Sequence, residues 1–326
     1  MTITIDAVTA PSVQTRKRRT GEPLVMITAY DAPSAKIAHR AGADMILVGD
    51  SLAMVVLGYD DTLQVTVEDM AHHTAAVARG LRASASAGVD KARPMIVGDL
   101  PWMSYHTGPA DAVRNAAALV RAGADTVKLE GGRKRLGVIE AIVDAEIPVM
   151  GHLGLTPQSV HALGGFKVQG RQLEAARTLA ADAKALAHAG CFAIVLEAVP
   201  DPVAAMITDL IDIPTIGIGA GPACDGQVLV WHDLLGLEDR FTPKFVRRYA
   251  ELGIDATAAV ARYAADVRSG AFPSAKESYA AGAELAEGLA LMGVGSIGGR
   301  TDGGRSNFAG QDDLADEVLR GLYSGR

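Results

Sequence analysis

The sequence is short of several things, and each shortage excludes something. It has only two cysteines, Cys191 and Cys224, in 326 residues. That is too few for a disulfide framework, and the pair lacks metal-site spacing, so a reducing cytoplasm fits. No apolar stretch approaches the roughly 20 residues needed to span a bilayer, which excludes a membrane-embedded chain of helices. Positive charge is not in excess: 31 Lys and Arg stand against 38 Asp and Glu, a formal charge of −7. A nucleic-acid partner would need a basic face, and none is indicated. The one basic run, Arg16-Lys17-Arg18-Arg19, lies in a polar stretch with no apolar segment after it. Residues 1–20 are therefore expected to be a flexible, solvated arm rather than a secretory peptide. Aromatic residues are scarce at 5%, whereas glycine is plentiful at 36. Tight turns and closely packed helix–strand units follow, as in α/β architecture.

What is present is a regular alternation. Short runs rich in Val and Ile occur at 24–29, 45–49, 95–100, 126–131, 149–154, 192–199, 215–220 and 228–235. They are nearly continuous in hydrophobicity, as strands buried on both faces should be. Helix candidates lie between them, among others at 109–122, 133–145, 172–189 and 202–211. Eight strands alternating with helices point to a (β/α)8 TIM barrel, with a doubly wound open sheet as the alternative. Three stretches echo one another: AGADMILVGDS (41–51), AGADTVKLEGG (122–132) and AGCFAIVLEAV (189–199). The Gly that opens each echo suits the end of a helix. Turn chemistry does not explain the acid near the close of each.

In a parallel barrel the carboxyl ends of all strands open on one face, and the active site lies there. The acids Asp50, Asp99, Glu130 and Glu197 all fall on that face, with His152 in the same layer. Four carboxylates around one mouth repel unless a cation or protons intervene. A hard cation such as Mg²⁺ suits one or two direct carboxylates completed by water and substrate. For Asp50, followed by Ser51, helix capping is an alternative role. Lys128 lies two residues before Glu130, so both side chains share a face. It serves either as the partner of Glu130 in an ion pair or as the cation that receives a substrate carboxylate. Glu197, flanked by Leu196 and Ala198, has the apolar setting that suits a general base. His152 is equally compatible with a satisfied core histidine. The glycines of IGIGAG (216–221) either cradle an anion or serve tight packing, and they do not follow the dinucleotide pattern.

At these residues the sequence resembles the ketopantoate hydroxymethyltransferase family. The likeness is carried by TAYDAPSAKIAHRAGADMILVGDSLAMVVLGYDDTLQVTVEDM, GDLPWMSY, RAGADTVKLEGG, GHLGLTPQSVHALGGFKVQGR, VLEAVP and IPTIGIGAGPACDGQVLVWHDLLG. It implies a (β/α)8 barrel of the phosphoenolpyruvate/pyruvate type over residues 21–280, one Mg²⁺, and a homo-oligomer, a decamer in the family. It also implies transfer of a hydroxymethyl group from 5,10-methylenetetrahydrofolate, a co-substrate, to the α-keto acid 3-methyl-2-oxobutanoate. The product is 2-dehydropantoate, on the route to pantothenate, formed through a Mg²⁺-stabilised enolate. By motif match Asp50, Asp99 and Glu130 are the metal-site acids, some acting through water. Asp50, Ser51, Asp99, Lys128 and His152 line the keto-acid site, and Glu197 is the catalytic base. Another Mg²⁺-dependent α-keto-acid lyase or aldolase is the alternative within the same barrel, and a non-catalytic binding barrel is a third. The likeness fades after FPSAKESY (272–279). Residues 281–326 are expected to form an extension: a helix near 280–292, a Gly-rich linker and a docking helix at 311–322.

Overall fold

In a computed structural model of the chain, residues 7–89, 91–238 and 242–292 are described. The chain divides into two units, Met1–Ile254 and Asp255–Arg326. The first is a closed parallel barrel whose strands pair in sequence order, with the eighth returning to the first. Its strands are β1 (Leu24–Thr28), β2 (Met45–Val48), β3 (Met95–Asp99), β4 (Thr126–Glu130), β5 (Val149–Gly154), β6 (Ala193–Glu197), β7 (Thr215–Ile218) and β8 (Gly226–Leu229). Successive side chains point alternately inward and outward, so each strand fills two cores. Met26, Met45, Met95, Met150, Val97, Val195 and Ile216 pack together as one cluster. Ile46, Val48, Ile96, Val127, Leu129, Ile194 and Leu196 belong to the other, which they share with the surrounding helices.

Local chemistry sets the helices between strands. The helix Ala32–Ala41 starts at Asp31, whose carboxylate caps the Ser34 N–H while Ser34 answers with its hydroxyl, and it stops at Gly42 in the left-handed region. The helix Val67–Ser86 begins with the same reciprocal box between Thr66 and Asp69. The two cross closely at Gly80, where an added Cβ would sit 2.6 Å from the Ala32 carbonyl oxygen.

One expected strand is displaced. The apolar run 228–235 does not form a single strand: β8 ends at Leu229, and Trp231–Leu235 is a short helix. The ladder to β1 closes at the Ile27–Leu229 pair, and the Trp231 N–H then goes to Thr28 Oγ1 at 2.8 Å. That side-chain bond replaces the next rung, and the apolar residues continue on a helix face.

The amino-terminal stretch also differs from the expected solvated arm. A helix, Ala10–Thr15, is capped by Thr9, and its Ala10 and Val13 are buried in the cluster of Met26, Met45 and Met95. A wider turn, Arg16–Thr20, follows. Residues 1–6 lie outside the described residues. The basic run begins a set of clasps at the strand entries. Asp44, just before β2, accepts the Val25 N–H of β1 at 2.8 Å and pairs with Arg16 at 2.7 Å. Asp125, just before β4, accepts the Ile96 N–H of β3 at 2.8 Å and holds Arg93 by two bonds of 2.9 and 2.8 Å. Asp225, just before β8, accepts the Thr215 N–H of β7 at 2.8 Å and pairs with Lys17 at 3.0 Å. Each aspartate thus satisfies a backbone donor within the first two residues of the preceding strand while a cation neutralises it.

The second unit, taken by itself, holds most of the helix Leu252–Ser269, an edge-on ring pair between Tyr263 and Phe272, and the helix Ala283–Leu291. The helix expected near 280–292 therefore forms. The division at 254/255 precedes the expected boundary at 280/281, and the linker and docking helix at 311–322 lie outside the described residues. No described helix is long and apolar enough to cross a membrane.

Lys17 also donates to the carbonyls of Thr208 and Ile213, at 2.6 and 3.2 Å. Lys17→Met removes these charged bonds and leaves Asp225 unpaired, so it should lower unfolding stability by about 1–3 kcal/mol. Urea denaturation measures this, and an unchanged midpoint would show that the clasp contributes nothing.

Candidate active site

The barrel register delivers the sequence-selected residues to one mouth. Asp99 at the end of β3 is the register partner of Lys128 on β4, and Glu130 is the partner of His152 on β5. Glu197 pairs one layer higher, with Gly154. Asp50, Asp99, Lys128, Glu130 and His152 are all buried, at 5% exposure or less. Glu197 is more open, with 18% of its side chain exposed.

The contacts among them form a continuous chain. Lys128 Nζ lies 2.6 and 2.7 Å from the two oxygens of Asp99. The partner of Lys128 is therefore Asp99, not the Glu130 that shares its face of the strand. The Asp50 N–H donates to Asp99 Oδ2 at 3.2 Å. The Asp50 side chain caps no helix; Ser51 occupies the cap position of the short helix Leu52–Val55. Ser51 Oγ instead bonds the Tyr30 hydroxyl at 2.9 Å. His152 stands between two carboxylates, with Nδ1 3.3 Å from Glu130 and Nε2 3.2 Å from Glu197. Both contacts are charge-range rather than well-aligned hydrogen bonds.

Burial and neighbouring charge shape the titration of these groups. Asp50 is pushed well above the usual carboxylate range, by burial first and then by the charges of Asp99 and Glu130. Burial and Lys128 pull His152 down, yet Glu130 and Glu197 outweigh them and raise it to about 9. Burial also pulls on Lys128, but Asp99, Asp50 and Glu130 together hold it firmly protonated.

Two residues that sequence reasoning did not single out complete the site. Gln158, on the turn Pro157–Ser159 after β5, donates its amide to Asp50 Oδ2 at 2.8 Å and its backbone N–H to Glu130 Oε2 at 3.0 Å. Tyr105, in the loop after β3, donates to Gln158 Oε1 at 2.6 Å and accepts the Glu130 N–H at 3.2 Å. The backbone is shaped for this closeness. Gly154, at φ +96°, brings β5 against the Glu197 carbonyl, where a Cβ would clash at 2.2 Å. Ala198, just after Glu197, sits at φ 48°, a left-handed conformation unfavourable for a residue with a Cβ.

The donor set suits a hard divalent cation. Asp50 and Asp99 offer only oxygen, and the three buried carboxylates have one lysine among them. Among the described residues no three of His, Cys, Asp and Glu converge as a ready-made cage. A hard ion of this kind takes one or two carboxylates and keeps water or substrate in its other positions.

Comparisons with known proteins agree on kind. A family model described as ketopantoate hydroxymethyltransferase matches residues 7–275. The chain is 58% identical over 274 residues to 3-methyl-2-oxobutanoate hydroxymethyltransferase of Oleidesulfovibrio alaskensis, covering 84% of this chain and 91% of that one. It is 55% identical to the protein of the same name from Moorella thermoacetica, covering 83% and 97%. Among solved structures, a phosphonomutase-like protein of Burkholderia cenocepacia superposes with a TM-score of 0.52 at 16% identity, covering 80% of this chain and 98% of that one. A 2,3-dimethylmalate lyase of the PEP mutase/isocitrate lyase superfamily gives 0.51 at 17% identity, covering 92% and 99%. At such identities the structures speak for the barrel alone.

Lys128→Met should destabilise the metal-free protein by about 3–5 kcal/mol, because it strands Asp99 in the interior. The double variant Lys128→Met with Asp99→Leu removes both charges and should be the more stable of the two. Thermal unfolding in EDTA makes the comparison; a double variant no more stable than the single one would contradict this account.

Proposed function

The chain belongs to the ketopantoate hydroxymethyltransferase family, and from that premise we propose how its mouth carries out the family's reaction. It is a hydroxymethyltransferase acting on 3-methyl-2-oxobutanoate and forming 2-dehydropantoate, in pantothenate biosynthesis. The one-carbon donor in this proposal is 5,10-methylenetetrahydrofolate, with water supplying the hydroxyl oxygen and tetrahydrofolate leaving. The observation that supports assigning the chemistry to this mouth is the unbroken set of contacts from Lys128 through Asp99, Asp50, Gln158 and Glu130 to His152 and Glu197.

Asp50, Asp99 and Glu130 would hold Mg²⁺. Bound there, the cation would draw electrons from the keto oxygen and so acidify the C3 hydrogen of the substrate. Lys128 holds both oxygens of Asp99 and places positive charge beside the substrate carboxylate. Ser51, oriented by Tyr30, supplies a hydroxyl to the keto acid. Glu197 removes the C3 proton, since it is the most open carboxylate of the set and the one farthest along the chain of contacts from Lys128. His152, protonated between Glu130 and Glu197, fixes both side chains. The resulting carbon nucleophile attacks the methylene unit of the folate.

Assembly as a homo-oligomer, a decamer, belongs to the same proposal, as does residence in the cytoplasm. Support for assembly comes from large apolar residues left exposed, including Ile254, Val260 and Tyr263.

The direct test supplies 3-methyl-2-oxobutanoate and methylenetetrahydrofolate with Mg²⁺ or with EDTA. Ketopantoate should form only with the metal, and its absence under every metal condition would sink the proposal. Glu197→Gln should slow deuterium exchange at C3 of the keto acid by about 10²–10⁴-fold while Mn²⁺ still binds. Exchange at the native rate would remove Glu197 as the base.

A further inference from the structure

Gln158 carries no charge and is 5% exposed, yet both polar atoms of its side chain and its backbone N–H are engaged in hydrogen bonds. A side-chain amide has two N–H hydrogens to give and one carbonyl oxygen to receive with. The Leu100 carbonyl, 3.0 Å from Nε2, can only accept, which fixes the nitrogen on that side. Tyr105 fixes the other side. Its oxygen receives the Glu130 N–H at 3.2 Å, and its own hydrogen goes to Oε1 at 2.6 Å. A flipped amide would set its oxygen against both the Leu100 carbonyl and Asp50 Oδ2. The second Nε2 hydrogen is thereby directed to Asp50 Oδ2 at 2.8 Å. The backbone N–H of the same residue takes Glu130 Oε2 at 3.0 Å. One residue from the loop after β5 therefore joins carboxylates that arise from β2 and β4, and it braces them on the chain leaving β3.

We infer that Gln158, its amide orientation locked by Tyr105 and Leu100, is a positioning residue for this reaction, holding one oxygen of Asp50 and one of Glu130 so that Asp50 Oδ1 is left for the cation. The inference rests on the assignment of Asp50 as a Mg²⁺ ligand. Asp50 Oδ1 has no hydrogen-bond partner among the described residues, whereas Oδ2 is taken. Tyr105 acts only through the amide and the Glu130 backbone, so its contribution and that of Gln158 are one contribution. A glutamine that merely filled space would be replaced without loss by methionine, which has nearly the same length and no amide.

The test measures Mn²⁺ binding, as a paramagnetic substitute for Mg²⁺, by loss of the free-ion spin-resonance signal in the full chain without keto acid. Thermal midpoints are recorded in parallel. Gln158→Met should weaken Mn²⁺ binding about 10–100-fold, the usual effect of losing the partner that orients a metal ligand. Tyr105→Phe keeps the ring, loses only the hydroxyl, and should weaken it in the same direction. The double variant should bind little worse than Gln158→Met alone, because the two groups act in series. Affinity within twofold of the native value in Tyr105→Phe overturns the inference, as does a double variant whose loss is the product of the single losses. If Gln158→Met does not fold, Tyr105→Phe decides alone. Asp50→Asn separates the two levels of the argument. Native Mn²⁺ affinity in that variant removes the metal assignment itself. Lost affinity there, with native affinity in Tyr105→Phe, removes only the role of Gln158.

Discussion

The mouth of the barrel depends on an imbalance of charge: Asp50, Asp99 and Glu130 are buried together, and Lys128 spends both its close contacts on Asp99 alone. Carboxylates in a site of low dielectric repel strongly, and burial adds the cost of lost hydration. The protein meets that cost with aimed donors. The Gln158 amide and backbone N–H, the Asp50 N–H and the imidazole of His152 each address a specific carboxylate oxygen or face. Donors fixed in this way also fix the carboxylates, so the arrangement that keeps the interior tolerable is the one that presents oxygens in a set geometry. Preorganisation of this kind is where an enzyme of this chemistry gains most, because little has to move as charge develops.

Much of this was legible in the sequence, and the limits have physical causes. Apolar runs buried on both faces mark parallel strands, and seven of the eight ranges fit closely because each ends at a turn or at an acid. The eighth run was misplaced because a Thr28 hydroxyl, distant in sequence, takes the N–H that would have continued the ladder. Period-two alternation correctly put Lys128 and Glu130 on one face. It could not say that Lys128 would turn sideways to Asp99, since that depends on the register between neighbouring strands. The apolar flanks of Glu197 were a poor guide to its surroundings, because neighbours along a strand point the other way and what meets it is His152. Gln158 and Tyr105 had no hydrophobic pattern to announce them. Their only signal was position, within GHLGLTPQSV and GDLPWMSY, two segments that carry the family likeness.

The two ends of the barrel use the same residue type to opposite effect. At the strand entries Asp44, Asp125 and Asp225 each have a cation of their own and a backbone N–H to accept. At the strand exits the carboxylates outnumber the lysine. The first arrangement is saturated and serves cohesion; the second is left short of positive charge and, on the proposed reading, serves chemistry, the usual division between the faces of such barrels. The repeated AGAD shows both ends at once. Its glycine ends a helix, its aspartate clasps the neighbouring strand, and the strand that follows runs up to Asp50 in one copy and Glu130 in the other.

The Lys17 contact also has a bearing on the order in which the molecule is built. Its partners Thr208 and Ile213 lie 191 and 196 residues further along the chain. During synthesis at about 5–20 residues per second, the turn that carries Lys17 therefore waits on the order of ten seconds or more for the groups that hold it. Strands early in the chain can pair as they emerge, but the floor cannot be sealed until β7 and β8 have left the ribosome. A lumen lined by Met26, Met45 and Met95 stays open to water, and to chaperones that bind exposed apolar surface, for all of that interval.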